Sequence, residues 1–149
     1  MAVRKSINKK FKTEDSSDVL IIGSGIAGAT TALQLARNPS RQITVITRSQ
    51  DPKESNTRWA QGGVVGRGPG DDPKILVSDI MKASANSSNI EAVQLLANEG
   101  PEILQDILIE TAGIIFDQTD SGEISWGHEA AHSLRRILHV GDSTGLSII

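Results

Sequence analysis

Two short patterns in the sequence carry residue types and spacings that can do chemistry. Gly23-Ser24-Gly25-Ile26-Ala27-Gly28 sets three glycines at G-x-G-x-x-G directly after Asp18-Val-Leu-Ile-Ile22. Such a loop admits a pyrophosphate: Gly23 makes the tight turn, Gly25 has no Cβ to hold the phosphates away, and Gly28 lets the next helix lie close on the strand. The anion would rest on free N–H groups and the positive dipole end of that helix, without a basic side chain. The bland alternative is a glycine-rich turn that binds nothing. Further on, His128-Glu129-Ala130-Ala131-His132 matches H-E-x-x-H, in which two histidines one helical turn apart hold zinc and the glutamate activates water. Dinucleotide binding and metal-assisted hydrolysis are different chemistries, and the elements around each pattern weigh between them.

Around the glycine loop those elements are in place. The β-branched and leucine run before it reads as a buried strand, and Ala29, Ala32, Leu33 and Leu35 follow at helical spacing. Asn38-Pro39-Ser40 breaks the helix, and Ile43-Thr-Val-Ile46 supplies a second buried strand. The result is a βαβ unit in an α/β, Rossmann-like domain with a parallel sheet. A dinucleotide fingerprint would next place Asp or Glu on a ribose hydroxyl, but Thr47-Arg48-Ser49 stands there. Taken alone, that favours a ribose 2′-phosphate and an NADP-dependent reductase, or else a solvated strand end. Ser55-Asn-Thr-Arg-Trp-Ala-Gln-Gly-Gly-Val-Val65 argues against NADP, because Gly62 and Gly63 let backbone N–H groups approach a flat ring where such a sheet opens its crevice. Around H-E-x-x-H the support is thinner. Zinc binding needs a helix, and Ser125-Trp126-Gly127 is a poor helix start. The extended zinc motif would put Gly at Arg135 and His at Leu138, and His139 is one residue out of register.

The rest of the chain reads as scaffold. Gly66 to Pro73 is expected to be an exposed loop. Three helices should follow, marked by Ile75 to Met81, by Asn89 as a cap before Ala92 to Leu96, and by Ile103 to Leu108. The third should stop near Gly113, before a β-like Ile114-Ile-Phe-Asp117 and a turn at Asp120-Ser-Gly122. A net charge of -3 over 149 residues gives no reason to expect nucleic acid or an anionic membrane as partner. No apolar run is of bilayer length, so no membrane span is expected. With no cysteine there are no disulfides, thiolate nucleophiles or cysteine-held clusters, which fits a cytoplasmic setting. Residues 1–17 carry Arg4, Lys5, Lys9, Lys10 and Lys12 without the apolar core of a secretory signal, and read as a basic, flexible N-terminal tail.

Gly23 to Gly28 joined to Asn56-Thr-x-x-Ala60-Gln61-Gly62-Gly63 resembles the flavoprotein group that contains L-aspartate oxidase, fumarate reductase and the succinate dehydrogenase flavoprotein subunit. The resemblance implies an FAD site over Gly23, Ser24, Gly25, Ile26, Ala27, Gly28, Arg48, Asn56, Thr57, Arg58, Trp59, Ala60, Gln61, Gly62 and Gly63. Arg48 would contact the cofactor and the Ala-Gln-Gly-Gly segment would run alongside the isoalloxazine ring, so the missing acid becomes a trait of the group. Respiratory members carry a flavin-linking histidine five residues before the glutamine. Asn56 stands there, which implies non-covalent FAD and a closer fit to aspartate oxidases and soluble fumarate reductases.

Gly127 to His139 resembles the aspartate oxidase segment Arg-Glu-Gly-Gly-His-Ser-His-Arg-Arg, which implies that Glu129 orients an amino acid by receiving its ammonium. A dicarboxylate with an amine needs cations for its carboxylates, and Arg135, Arg136, His132 and His139 are the candidates. A solvated face for at least one arginine and a structural role for His139 are the alternatives. Ala130-Ala131 departs from the group's Gly-Gly, and Leu134 from its histidine. The activity implied is FAD-dependent oxidation of L-aspartate to iminoaspartate with oxygen or fumarate as acceptor, no metal, and a hand-off to quinolinate synthase in NAD biosynthesis. A soluble fumarate reductase or succinate dehydrogenase-like flavoprotein is the alternative. The resemblance further implies that residues 18–149 are the N-terminal part of an FAD-binding domain with a helical insertion, its sheet incomplete and truncated before a capping domain. Alone, such a segment is expected to be marginally stable and inactive.

Overall fold

The computed structural model describes residues 16–149, so the basic cluster from Arg4 to Lys12 lies outside the described residues. The first unit is β1 (Val19–Ile22), α1 (Ile26–Ala36) and β2 (Ile43–Ile46), with β1 and β2 parallel and Val19 opposite Ile43. The Asp18 carboxylate accepts from the Gln42 amide at 2.8 Å and fixes where the two strands start pairing. Gly23 turns the chain at φ +113°, a conformation that side chains resist. A Cβ on Gly28 would run into the Gly23 carbonyl oxygen, so α1 and the turn can meet only through a glycine.

The strands were expected to be buried, and only Ile21 is. Ile22 is 82% exposed, and Leu20, Val45 and Ile46 are also exposed. Among the described residues β1 and β2 pair only with each other, which leaves one side of each strand uncovered.

The core sits elsewhere, where β3 (Val64–Val65) runs antiparallel to β4 (Ile137–Leu138) with Val64 opposite Leu138. Leu138 packs there with Leu104, Ile107, Leu108 and Phe116. The helices flanking this core begin as their sequences dictate. Asp72 accepts from the Lys74 amide at 2.8 Å to cap α2 (Pro73–Ala83), and Asn89 accepts from the Ala92 amide at 3.0 Å to cap α3 (Ile90–Leu104).

Two expectations fail here for physical reasons. The second and third helices are one continuous rod, in which α3 passes Pro101 and widens into a π-helical stretch, Gln105–Thr111. Proline offers no N–H to the Ala97 carbonyl four residues back. Arg67 replaces that donor, with Nη2 at 2.9 Å from the Ala97 oxygen and 3.3 Å from the Asn98 oxygen. The rod ends at Gly113, φ +69°, as expected. The segment from Gly66 to Pro73 is not simply an exposed loop: Gly66 and Gly68 are buried and the Asp71 side chain is 3% exposed. The turn at Asp120 to Gly122 forms, with Gly122 at φ +82°. A short helix, α4 (Thr144–Ile148), closes the described chain.

Arg67→Ala should destabilise the fold by about 1.5 to 3 kcal/mol, the range for a hydrogen bond from a charged donor. In a Pro101→Ala background residue 101 regains an amide for Ala97, and the same substitution should cost less than about 1 kcal/mol. Urea unfolding followed by tryptophan fluorescence reads both. Equal losses in the two backgrounds would show that Arg67 does not substitute for the missing proline N–H.

Candidate cofactor and substrate site

The glycine turn, the end of β2 and the segment from Glu54 to Thr57 enclose a cavity of about 690 Å³. The first turn of α1 carries no acidic residue, so its dipole is not neutralised at this cavity. A 3₁₀ turn, Asn56–Trp59, is drawn against the loop by Thr57, whose Oγ1 accepts from the Ile26 amide at 3.0 Å. Beside it the hydroxyls of Ser24 and Ser55 are buried with no hydrogen-bond partner. An orphaned buried hydroxyl is costly, and two of them at a glycine-lined helix N-terminus fit the oxygens of a bound diphosphate.

Gly23 to Gly28, Arg48, Asn56 and Thr57 line this cavity, with Arg48 exposed to solvent. Arg58, Trp59 and Ala60 do not line it. Arg58 approaches Asp51 at 3.7 Å and lies over the Trp59 ring, 5.6 Å from its centroid. Trp59 is 67% exposed and donates from Nε1 to Glu54 at 2.9 Å. The Ala60 carbonyl accepts from the Gly145 amide at 2.9 Å, so these three residues hold the segment in place.

Pairing of β3 with β4 builds a second cavity, about 350 Å³, from Gln61, Gly62, Gly63, Gly127, His128, Glu129, Ile137, His139, Gly141 and Asp142. Glu129 Oε1 lies 3.1 Å from the point where a Gly62 Cβ would stand, so the glutamate and the glycine pair meet in space. H-E-x-x-H is not a helix. The His132 amide donates to the Glu129 carbonyl at 3.0 Å in a turn, His128 Nε2 lies 2.6 Å from the His132 carbonyl oxygen, and His132 Nδ1 is 3.0 Å from Arg136. Residues 128 and 132 therefore lack the one-turn helical stacking that zinc binding needs.

Of the four candidate cations, Arg136 is corrected outright. It is fully buried, with Nε and Nη2 each 2.8 Å from the Asp71 carboxylate and Nη1 2.6 Å from Asp79. Asp79 also accepts from the Ser133 amide and hydroxyl, each at 2.9 Å. Burial pushes the Asp79 carboxyl up, but the Ser133 amide, the Arg136 guanidinium and the Ser133 hydroxyl outweigh it and hold the group below the usual carboxylate range. Burial likewise opposes charge on Arg136, and Asp71 and Asp79 outweigh it and raise its affinity for the proton. Arg135 is the exposed arginine of the pair, donating to the Trp126 carbonyl at 3.2 Å. Asp71 and Asp79 were not singled out from sequence. The available signal was an acid three residues after Leu76, on the apolar face of α2.

A parallel βαβ unit with a phosphate-type glycine turn, opening toward a second glycine pair beside a carboxylate, defines a nucleotide-cofactor-binding α/β protein. Residues 18–149 match the FAD binding domain, and the chain belongs to that family, with FAD as its cofactor. Asn56 offers no ring nitrogen for a covalent flavin bond. The chain is 40% identical over 134 residues to an L-aspartate oxidase of Halobacterium salinarum, covering 90% of this chain and 25% of that protein. It is 37% identical over 132 residues to the chloroplastic L-aspartate oxidase of Arabidopsis thaliana, covering 88% of this chain and 20% of that protein. Among solved structures it is similar to the Mycobacterium smegmatis Sdh1 complex in the apo form, with a TM-score of 0.79 and 32% identity over 89% of this chain and 22% of that one. A quinol-fumarate reductase with menaquinol molecules shares the fold at a TM-score of 0.79 and 22% identity, covering 89% of this chain and 23% of that one. The chain thus spans a fifth to a quarter of the length of these curated relatives. Among the described residues, no helix is long and apolar enough to cross a membrane.

The Asp79 ion pair has a definite pH sense. A carboxyl whose folded pKa lies below its unfolded value stabilises the fold fully above the unfolded value, about 3.8, and loses that contribution as pH falls through the folded one. Arg136→Met reverses the sense, because it strands two buried carboxylates. At neutral pH it should cost about 3 to 5 kcal/mol, and the deficit should shrink toward about pH 4 as the stranded Asp79 takes up a proton. Urea midpoints at both pH values check this, and a deficit independent of pH would refute it.

Proposed function

We propose that this chain is the cofactor-binding part of an L-aspartate oxidase-type flavoprotein, converting L-aspartate to iminoaspartate with oxygen or fumarate as acceptor. The supporting observation is the Glu129 carboxylate standing beside Gly62 in the cavity lined by Gln61 to Gly63. The 36 to 40% identity to proteins named L-aspartate oxidase points the same way. On this reading residues 18–149 form the Rossmann-like N-terminal part of the FAD-binding domain of a longer cytoplasmic enzyme. Its product, iminoaspartate, would be handed on to quinolinate synthase, toward NAD. FAD, when bound, supplies the acceptor for the hydride that leaves the substrate α-carbon. The protein does the rest by placement and charge. The α1 N-terminus with Ser24 and Ser55 holds the diphosphate, the backbone of Gly62 and Gly63 flanks the flat ring, and Glu129 receives the substrate ammonium. A succinate dehydrogenase-like flavoprotein is the second reading, favoured by the likeness to the Sdh1 complex.

The two readings separate on the ammonium. In the full-length, FAD-loaded enzyme of this reading, Glu129→Gln removes a charge-assisted bond worth about 1.5 to 3 kcal/mol, so L-aspartate should bind roughly ten- to a hundred-fold more weakly. Succinate carries no ammonium, and its affinity should stay the same. Calorimetric titration of both ligands decides: equal losses would give Glu129 another role and favour the dicarboxylate enzyme. Acid precipitation of the same sample should release yellow flavin to the supernatant, and flavin retained in the pellet would contradict non-covalent binding.

A further inference from the structure

H-E-x-x-H lacks the helix that zinc needs, yet both of its rings are engaged, and both act on the turn that carries Glu129. Their proton positions follow from their partners. The His132 carbonyl oxygen can only accept, so His128 Nε2, 2.6 Å away, donates to it. Guanidinium nitrogens can only donate, so His132 Nδ1, 3.0 Å from Arg136 Nη1, accepts, and its ring proton lies on Nε2. His132 is thereby bound twice, through its ring to the buried arginine and through its carbonyl to His128. Its amide makes a third bond, 3.0 Å to the Glu129 carbonyl.

The next residue fastens the same turn to α2. Ser133 donates from its amide and its hydroxyl to Asp79 Oδ2, each at 2.9 Å, and Asp79 is 5% exposed and itself paired with Arg136. A carboxylate on an exposed turn samples many orientations, and fixing it when a ligand arrives costs conformational entropy. Glu129 is exposed, and yet its turn ends on two groups that are locked in the core. Its Oε1 lies 3.1 Å from the point where a Gly62 Cβ would stand, on the edge of the cavity that both residues line. The turn thus presents the carboxylate to the cavity while its far end is pinned to Arg136 and Asp79.

We propose that His132 is a positioning residue: by accepting from Arg136 it holds the turn in the form that points Glu129 at the substrate ammonium, with Ser133 as the second anchor. The proposal rests on the aspartate oxidase-type reading, in which Glu129 receives that ammonium, and deepens it by naming what keeps the acceptor in place before substrate arrives. Preorganising one long side chain is worth about two- to tenfold in affinity. The gain belongs to amines alone, because a ligand without an ammonium draws nothing from where Glu129 points.

The test is calorimetric binding of L-aspartate and succinate to the full-length, FAD-loaded enzyme of that reading, with urea unfolding measured on each variant. His132→Leu removes the acceptor and should weaken L-aspartate by roughly two- to tenfold while succinate keeps its affinity. His132→Asn puts a carbonyl oxygen where Nδ1 stood and should recover most of the loss. In a Glu129→Gln background His132→Leu should have no further effect on L-aspartate, since the group it positions is gone. Ser133→Ala keeps the amide bond to Asp79 and deletes the hydroxyl bond. It should shift the ratio of the two affinities in the same direction, and it carries the test if His132→Leu folds poorly. Equal losses for both ligands, an asparagine variant as weak as the leucine one, or a full additive loss in the Glu129→Gln background each overturns the positioning role. A lowered urea midpoint with both affinities unchanged overturns it too, and makes the contact structural. In those cases a selective loss of L-aspartate on Glu129→Gln leaves the aspartate oxidase-type reading standing, whereas Glu129→Gln without effect on L-aspartate overturns both.

Discussion

Everything placed around Glu129 depends on one buried guanidinium. Arg136 stands immediately before β4, Asp71 immediately before the cap of α2, and Asp79 in the middle of α2, so their meeting joins three stretches that are distant in sequence. Burying three charges is expensive, and only a geometry in which each lone pair and proton is used offsets the cost. Here the fork of Arg136 is bidentate on Asp71, its remaining amine faces Asp79, and Asp79 is completed by Ser133. Such a cluster adds little net stability over an apolar one, but it tolerates no slippage. A shift of β4 by one residue would bury an unpaired arginine. Register at β4 then sets β3, and β3 carries Gln61 to Gly63 to the edge of the cavity that Glu129 lines.

A second thread ties the two cavities together. Thr57 caps the α1 amide of Ile26, and three residues later the Ala60 carbonyl receives the Gly145 amide from α4. A Cβ on Gly145 would meet the Thr57 carbonyl oxygen, so α4 sits directly on the 3₁₀ turn. The two cavities are therefore joined by one continuous run, from Ser55 to Gly63, held to α1 through Thr57 and to α4 through Ala60. Arg58 and Trp59, the span between these two contacts, fall within the cofactor motif yet line neither cavity.

What was legible in the sequence was local. The glycine turn, the βαβ unit, the caps at Asp72 and Asn89 and the stops at Gly113 and Gly122 are each decided by a few neighbouring residues. What was not legible was decided from a distance. Pro101 reads as a helix boundary because nothing near it can donate to Ala97, and the donor arrives from Arg67, thirty residues away. The glycine-rich stretch after Val65 reads as solvent-exposed because its partner, Arg136, lies 65 residues on from Asp71. H-E-x-x-H is the opposite case, a local pattern that is complete in sequence but has no helix beneath it.

The departures within that pattern can be weighed by backbone geometry. Glycines are needed at 130 and 131 only if the turn there visits positive φ or touches another chain segment closely. Among the described residues the only non-glycine residues at positive φ are Ala85 and Asn86, so Ala130 and Ala131 adopt a backbone open to any residue. The turn closes through the His132 amide on the Glu129 carbonyl, a bond that a methyl group on either intervening residue does not obstruct. Replacing Gly-Gly by Ala-Ala therefore leaves the Glu129 backbone where it is.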